Sequence, residues 1–145
     1  MLVEWEELPK FSSRVVMVDG SFDPLHEGHI AYFQAASQLG LPLLCNISSD
    51  AWTASKHPIM LSQSNRAVVI GAIRYIQYVH CSQVTTSAVL RQLRPTAYVK
   101  GADWKLRGGI PTEEQKICDE LRIQVNYVET VRNSSTKLIE QLRSQ

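Results

Sequence analysis

The chain has 145 residues, of which 44% are hydrophobic and 20% charged, and a formal net charge of +1. That composition supplies the core of one ordinary domain but no global field to gather nucleic acid or an acidic membrane surface. No apolar run approaches the roughly 20 residues of a membrane span, and the start, MLVEWEELPKF, carries three Glu where a secretory leader has a basic segment followed by an apolar one. Cys45, Cys81 and Cys118 are odd in number, far apart and without a CxxC pair. Neither a disulfide framework nor a zinc site is expected, and a reducing cytoplasm is the natural setting.

Arg14–Asp19 (RVVMVD) is apolar, β-branched and stopped by Gly20, which predicts a buried strand. Ile30, Phe33, Ala36 and Leu39 recur at three-residue spacing before Gly40, which predicts a helix over Gly28–Leu39. Pro42–Ser48 follows as a second strand, and then a polar loop containing Lys56, His57 and Pro58. Val69, Ile70, Ile73 and Ile76 mark a helix over Arg66–Tyr78, and Tyr78–Cys81 a short strand. Ser87–Leu93 reads as a helix ended by Pro95, and Ala97–Lys100 as a strand closed by Gly101. Thr112–Leu121 reads as a helix with Thr112 as N-cap and Gln115 three residues on. Gln124–Val128 is the fifth strand and Ser135–Leu142 the last helix. The alternation predicts an α/β, Rossmann-like, doubly wound fold. Its five-stranded sheet is mostly parallel, with helices on both faces, in a single domain over 1–145.

In open α/β sheets ligands lie beyond the carboxyl ends of the strands. Those ends lead here into GSFDPLHEGH, SSDAWTASKH, GADWK and ETVRNSSTK, whereas segments such as LGLP and LRP enter the strands. Glycines, histidines and many basic residues therefore gather on one rim. Within the first of these stretches His26 and His29 are three apart at a helix start, on one face of its first turn. Free backbone N–H groups and the positive end of the helix dipole are expected beside them. Gly28 allows close approach, Gly20 a sharp exit from the strand, and Ser21 a hydroxyl. Such a set suits a phosphoryl group whose negative charge grows during reaction. Structural histidines are the bland alternative. A zinc site lacks a third ligand at a typical spacing.

GSFDPLHEGHI resembles the first motif of the HxGH nucleotidyltransferase superfamily. Class I aminoacyl-tRNA synthetases share that signature, but they are far longer and carry a KMSKS-like loop that is missing here. RAVVIGAIRYIQYV (Arg66–Val79) and VKGADW (Val99–Trp104) are similar to stretches of two groups. These are the glycerol-3-phosphate cytidylyltransferases and the adenylyltransferase domains of bifunctional heptose-phosphate enzymes. SSTKLI (Ser134–Ile139) resembles their STT-x-I motif. The four stretches occur in order along nearly the whole chain.

The resemblance implies transfer of a nucleoside monophosphate from ATP or CTP to a phosphorylated sugar or polyol, with release of pyrophosphate. His26, His29 and Lys56 would be the catalytic set. Gly20, Ser21, Phe22, Gly28, Lys100, Gly101, Asp103, Ser135 and Thr136 would join the histidines around the nucleotide. Asp23, Arg66 and Arg132 would serve the acceptor, Arg66 either holding its phosphate or bracing the site. Mg²⁺ would be bound mainly through the nucleotide phosphates, so no protein metal ligand is expected, and related enzymes imply a homodimer. Trp52 and Trp104 could stack on a base or simply pack. Ala102 stands where cytidylyltransferases have Asp and heptose-type enzymes Gly, which favours an adenylyltransferase similar to those acting on D-glycero-D-manno-heptose 1-phosphate. Lys137 departs from the second Thr of STT. A cytidylyltransferase for glycerol 3-phosphate or a related polyol phosphate is the alternative, and a non-catalytic nucleotide-binding regulatory module another.

Overall fold

The structure is a computed structural model that describes residues 1–129 and 140–144. Five strands, β1 (Val16–Gly20), β2 (Leu43–Ile47), β3 (Tyr78–Cys81), β4 (Ala97–Gly101) and β5 (Gln124–Val128), form one sheet in the order β3-β2-β1-β4-β5. Every neighbouring pair is parallel. Strands buried on both faces need continuous apolar sequence, and β2 (LLCNI) is buried along its whole length.

Within residues 1–129 the strands are accompanied by α1 (Glu27–Ser37), α2 (Asp50–Ala54), α3 (Gln63–Gly71), α4 (Thr86–Leu93), α5 (Ala102–Leu106) and α6 (Thr112–Leu121). Alternate strand residues face opposite sides. Val16 and Val18 of β1 therefore join Phe33 and Ala36 of α1 and Ile70 of α3 in one core. Met17 and Tyr98 join Leu90 and Leu93 of α4 and Ile117 of α6 in the other. The expected Rossmann-like α/β architecture is thus present, with a fully parallel sheet.

The chain winds outward from β1 through β2 to β3, then returns to lay β4 on the other side of β1. The order reverses between β1 and β4, where an open sheet leaves its crevice. Both strands end in glycine at this rim, and their exits lead into α1 and α5.

Several local expectations change. The third helix stops at Gly71, not Tyr78. Its apolar spacing continues because Ile73 N–H donates to Ile70 O (3.1 Å) and Ile76 N–H to Ile73 O (3.0 Å). Such tight turns keep the same three-residue face inward. Ile70, Ile76 and Val79 are core residues. Thr112 is the first residue of α6 and not its cap, because Pro111 holds the extended cap position without a side-chain bond. The polar second loop contains α2, capped by Ser49 Oγ, which accepts from Trp52 N–H at 3.1 Å. A 3₁₀ helix over Trp5–Phe11 covers the core beside α4. Of the expected last helix, residues 140–143 are helical, and its start lies outside the described residues.

Candidate active site

His26 is the N-cap of α1, with extended backbone angles of φ −146° and ψ 176°. Its Nδ1 accepts from Gly28 N–H at 3.0 Å, and His29 Nδ1 accepts from His26 N–H at 3.2 Å. Two imidazoles thus fill the reciprocal roles that Ser and Glu fill in a capping box. The rings stack with centroids 3.8 Å apart, and the edge of Phe22 meets His29 at 5.0 Å. With Nδ1 accepting, the proton of each neutral ring sits on Nε2.

The rings are held neutral. Burial, then the neighbouring His26, pushes His29 down to about 3. Burial also lowers His26, against the opposing pull of Glu27. The free backbone donors expected at this helix start are not free: Gly28 N–H goes to His26 Nδ1, and His29 N–H to His26 O at 3.0 Å. What faces a ligand is a pair of imidazole N–H groups backed by the helix dipole.

These rings line a cavity of about 990 Å³ at the rim. Gly20, Ser21, Phe22 and Gly28 line it beside them, with Lys56, Lys100, Gly101 and Asp103 from other elements. Gly20 has a steric reason: a Cβ there would lie 2.9 Å from Phe22 Cζ. Phe22 itself takes φ 54°, a backbone strain of about 1–3 kcal/mol. Lys56 is exposed just beyond α2, with Nζ 4.8 Å from the centroid of Trp52. Lys100 is buried, with Nζ 2.7 Å from Asp19 Oδ1 and 4.7 Å from the centroid of Trp104. Asp103 faces Arg107 at 3.8 Å on the exposed side of α5.

Two expected acceptor contacts lie beneath the cavity. Asp23 is buried, and its carboxylate accepts from Met60 N–H (2.8 Å) and Leu61 N–H (3.0 Å). Arg66, 1% exposed, donates to Leu61 O, Ser21 O and Ser48 O and forms an ion pair with Asp50 Oδ1 at 2.7 Å. Of the two roles open to Arg66, its geometry is that of the brace: the guanidinium is committed to loop carbonyls and Asp50. Asp23 and Arg66 bind the loop after β1 to the loop after β2, and Thr53 Oγ1 adds a bond to Ser21 Oγ at 3.0 Å. Arg132, Ser135 and Thr136 lie outside the described residues.

Sequence reasoning passed over Asp19, Tyr98, Thr86 and Glu114, all of which line the cavity. A carboxylate ending an apolar central strand was the available signal, because a charge at such a place needs a partner or a ligand. Among the described residues no group of three or more His, Cys, Asp or Glu side chains is placed to hold a metal ion. No helix among them is long and apolar enough to cross a membrane.

The sequence profile of the cytidylyltransferase-like family matches residues 17–141. The chain belongs to that family. Cytidylyltransferase-like relatives include the bifunctional protein HldE of Nitratiruptor sp., 31% identical over 96% of this chain and 30% of that protein. HldE of Geobacter sulfurreducens is 33% identical over 89% and 27%. The chain therefore spans less than a third of the length of these relatives. The same fold occurs in a lipopolysaccharide core biosynthesis protein from Thermoplasma volcanium, with a TM-score of 0.66 and 23% identity over 83% of this chain and 98% of that one. The cytidylyltransferase-like chain is thus a nucleotidyltransferase-like domain related to HldE.

Proposed function

We propose that the protein is a cytoplasmic adenylyltransferase that transfers AMP from ATP to the phosphate of a phosphorylated sugar, most similar to D-glycero-D-manno-heptose 1-phosphate adenylyltransferase, and releases pyrophosphate. The observation that carries this reading is the stacked, neutral His26–His29 pair at the start of α1, opening into the rim cavity. Kinship with HldE supports the sugar phosphate. Ala102, the small first residue of α5, supports the adenylyl branch.

The acceptor's own phosphate is the nucleophile. Its second pKa is roughly 6, so it is largely a dianion at neutral pH and needs no protein base. It attacks the α-phosphorus in line, the bond to the β-phosphate oxygen breaks, and pyrophosphate leaves with that electron pair. The protein aligns two anions and receives the charge that builds on the transferred phosphoryl group. His26 and His29 donate from Nε2 without adding charge, and Lys56 reaches the leaving phosphates from the second loop. Magnesium would enter on the triphosphate oxygens and neutralise part of their charge. The chain's part would be to orient that complex. Self-association belongs to the same proposal. Val68, 74% exposed, and Val69 on α3 offer an apolar surface for it, and sedimentation at micromolar concentration would show a dimer.

Pyrophosphate release with ATP and with CTP, each against a panel of sugar and polyol phosphates, tests the reading. ATP with a heptose 1-phosphate should turn over fastest. A folded protein that releases pyrophosphate with no pair would refute it.

A further inference from the structure

Tyr32 follows His29 by three residues on α1, so the two side chains leave the same face of the helix. His29 opens into the rim cavity, and Tyr32, 6% exposed, runs from the helix into the sheet. Its hydroxyl meets both central strands. Asp19 N–H of β1 donates to Tyr32 Oη at 3.2 Å, and Tyr32 O–H donates to Val99 O of β4. Burial, then the charge of Asp19, pushes the phenol well above its ordinary 10. It therefore keeps the proton that Val99 accepts.

Both bonds sit where the sheet parts. β1 and β4 pair from Val16–Ala97 to Val18–Val99 and, among the described residues, no further. Each strand then continues against its outer neighbour alone, β1 to Gly20 opposite Ile47 and β4 to Gly101 opposite Val128. The hydroxyl thus holds the last residue of β4 inside the pairing and the first residue of β1 beyond it. On the opposite face the Asp19–Lys100 ion pair, at 2.7 Å, spans the same fork. Past the fork the strands carry different walls of the cavity. β1 leads to Ser21 and the histidines, and β4 to Gly101 and α5.

We propose that Tyr32 is a positioning residue for the nucleotide: its hydroxyl fixes the fork between β1 and β4, and with it the separation of the histidine wall from the α5 wall. The inference rests on the transferase reading, whose triphosphate lies between those walls, and adds a residue that acts on it through the backbone. A phenylalanine would fill the same place in the core beside Phe33 and Val18. A buried hydroxyl is a cost unless its bonds are made, and this one makes them on the backbone of the fork. A nucleotide gripped from both walls binds only while they stand at the right distance. Its apparent affinity therefore scales with the fraction of time the fork holds that spacing.

The test uses the full chain with Tyr32→Phe, and with Ile70→Val as a control that loosens the same core without touching the fork. Circular dichroism confirms folding. Triphosphate and acceptor KM are read from pyrophosphate release with ATP and D-glycero-D-manno-heptose 1-phosphate, and the ATP Kd from calorimetry with magnesium present. Tyr32→Phe should raise the ATP Kd and KM about tenfold, the population shift expected when hydrogen bonds of about 1 kcal/mol each are lost from one of two states. The acceptor KM should stay within about twofold, because Asp23 and Arg66 brace the loops on its side without Tyr32. Ile70→Val should match wild type in each constant. In wild type the Asp19 amide should exchange its hydrogen about as slowly as that of Met17, buried in the same strand.

Turnover in Tyr32→Phe with an unchanged ATP Kd would overturn the inference and leave the transferase reading standing. An equal loss of ATP affinity in Ile70→Val would do the same, since any softening of the core would then suffice. An Asp19 amide that exchanges in wild type as fast as those of exposed loops would overturn it without any substitution. ATP binding that weakens only in Tyr32→Phe, in a protein without turnover, would uphold the role of Tyr32 and remove the transferase. A wild-type protein that neither binds ATP nor turns over would remove both.

Discussion

Replacing His29 by Ala separates two ways in which a histidine can serve a phosphoryl group. An imidazolium would act by charge, and its contribution would fade as pH rises through the ordinary 6.5. In this structure burial and His26 hold His29 near 3, so the ring is neutral at every working pH and acts as an Nε2–H donor. Loss of one donor aimed at developing charge costs about 2.7–4 kcal/mol, or 10²–10³ in kcat. The triphosphate KM should change far less, because Lys56, His26 and the helix start share the ground-state hold. The fold loses the cap bond to His26 N–H and the edge contact with Phe22, together about 1–2 kcal/mol. The protein should therefore stay folded. The assay is pyrophosphate release from pH 6 to 9 for both proteins, with circular dichroism as control. The wild-type rate should rise as the acceptor phosphate ionises near pH 6 and then hold level. Near-normal turnover in folded His29→Ala would refute the reasoning, as would a wild-type decline near pH 6.5 that the variant lacks.

Arg66→Met should destabilise the fold by about 3–5 kcal/mol, since it strands the carbonyls of Ser21, Ser48 and Leu61 and the Asp50 carboxylate; urea denaturation measures this, and a loss below about 1 kcal/mol would show that the loops hold without it. Lys56→Ala should raise the triphosphate KM about tenfold with a smaller fall in kcat, because an exposed loop lysine gathers the ground-state anion; steady-state kinetics in the triphosphate decides. The depressed His29 also makes the fold acid-sensitive. The unfolded chain takes up a proton near 6.5 and the folded one only near 3. The full stability above 6.5 is therefore lost progressively as pH falls between them, at up to about 1.4 kcal/mol per pH unit and less for a ring that keeps some contact with solvent. Urea midpoints at pH 7, 6 and 5 should fall more steeply in wild type than in His29→Gln.

The sheet was legible because each strand is a short apolar run with a polar exit, and β3 and β5 fall at the expected residues, Tyr78–Cys81 and Gln124–Val128. Helix ends were less so. The Ile70–Ile73–Ile76 spacing suits an α-helix and a chain of tight turns equally, and only the backbone separates them. The histidine pair was placed correctly, at the start of α1 on the rim. Its electrical state was not legible, because neutrality comes from burial and from ring against ring. Arg66 could have faced the acceptor or the loops, and sequence has no means of choosing when the partners are backbone carbonyls. The Asp19–Lys100 pair was missed for a topological reason. The two residues are 81 apart and end different strands. They meet only because β4 returns to the flank of β1.

That return also explains how one cavity draws its lining from both faces of the sheet. β1 and β4 pair side by side, from Val16 with Ala97 to Val18 with Val99. Successive residues leave the sheet on opposite faces, so Asp19 and Lys100 point toward α4 and α6, while the loop after Gly20 carries the chain over to α1. The histidines and the Asp19–Lys100 pair thus line one crevice from different faces of the sheet. The phosphate end depends on donors that add no charge, held by a cap in which each ring spends its second nitrogen on the backbone. On the other face Asp19 is paired with Lys100 at 2.7 Å, and burial and the charge of Asp19 push the Glu114 carboxyl up. Burial thus keeps neutral a histidine pair that could carry charge. Charge can then develop at the transferred phosphoryl group beside two donors that carry no charge of their own to favour the ground state over the transition state.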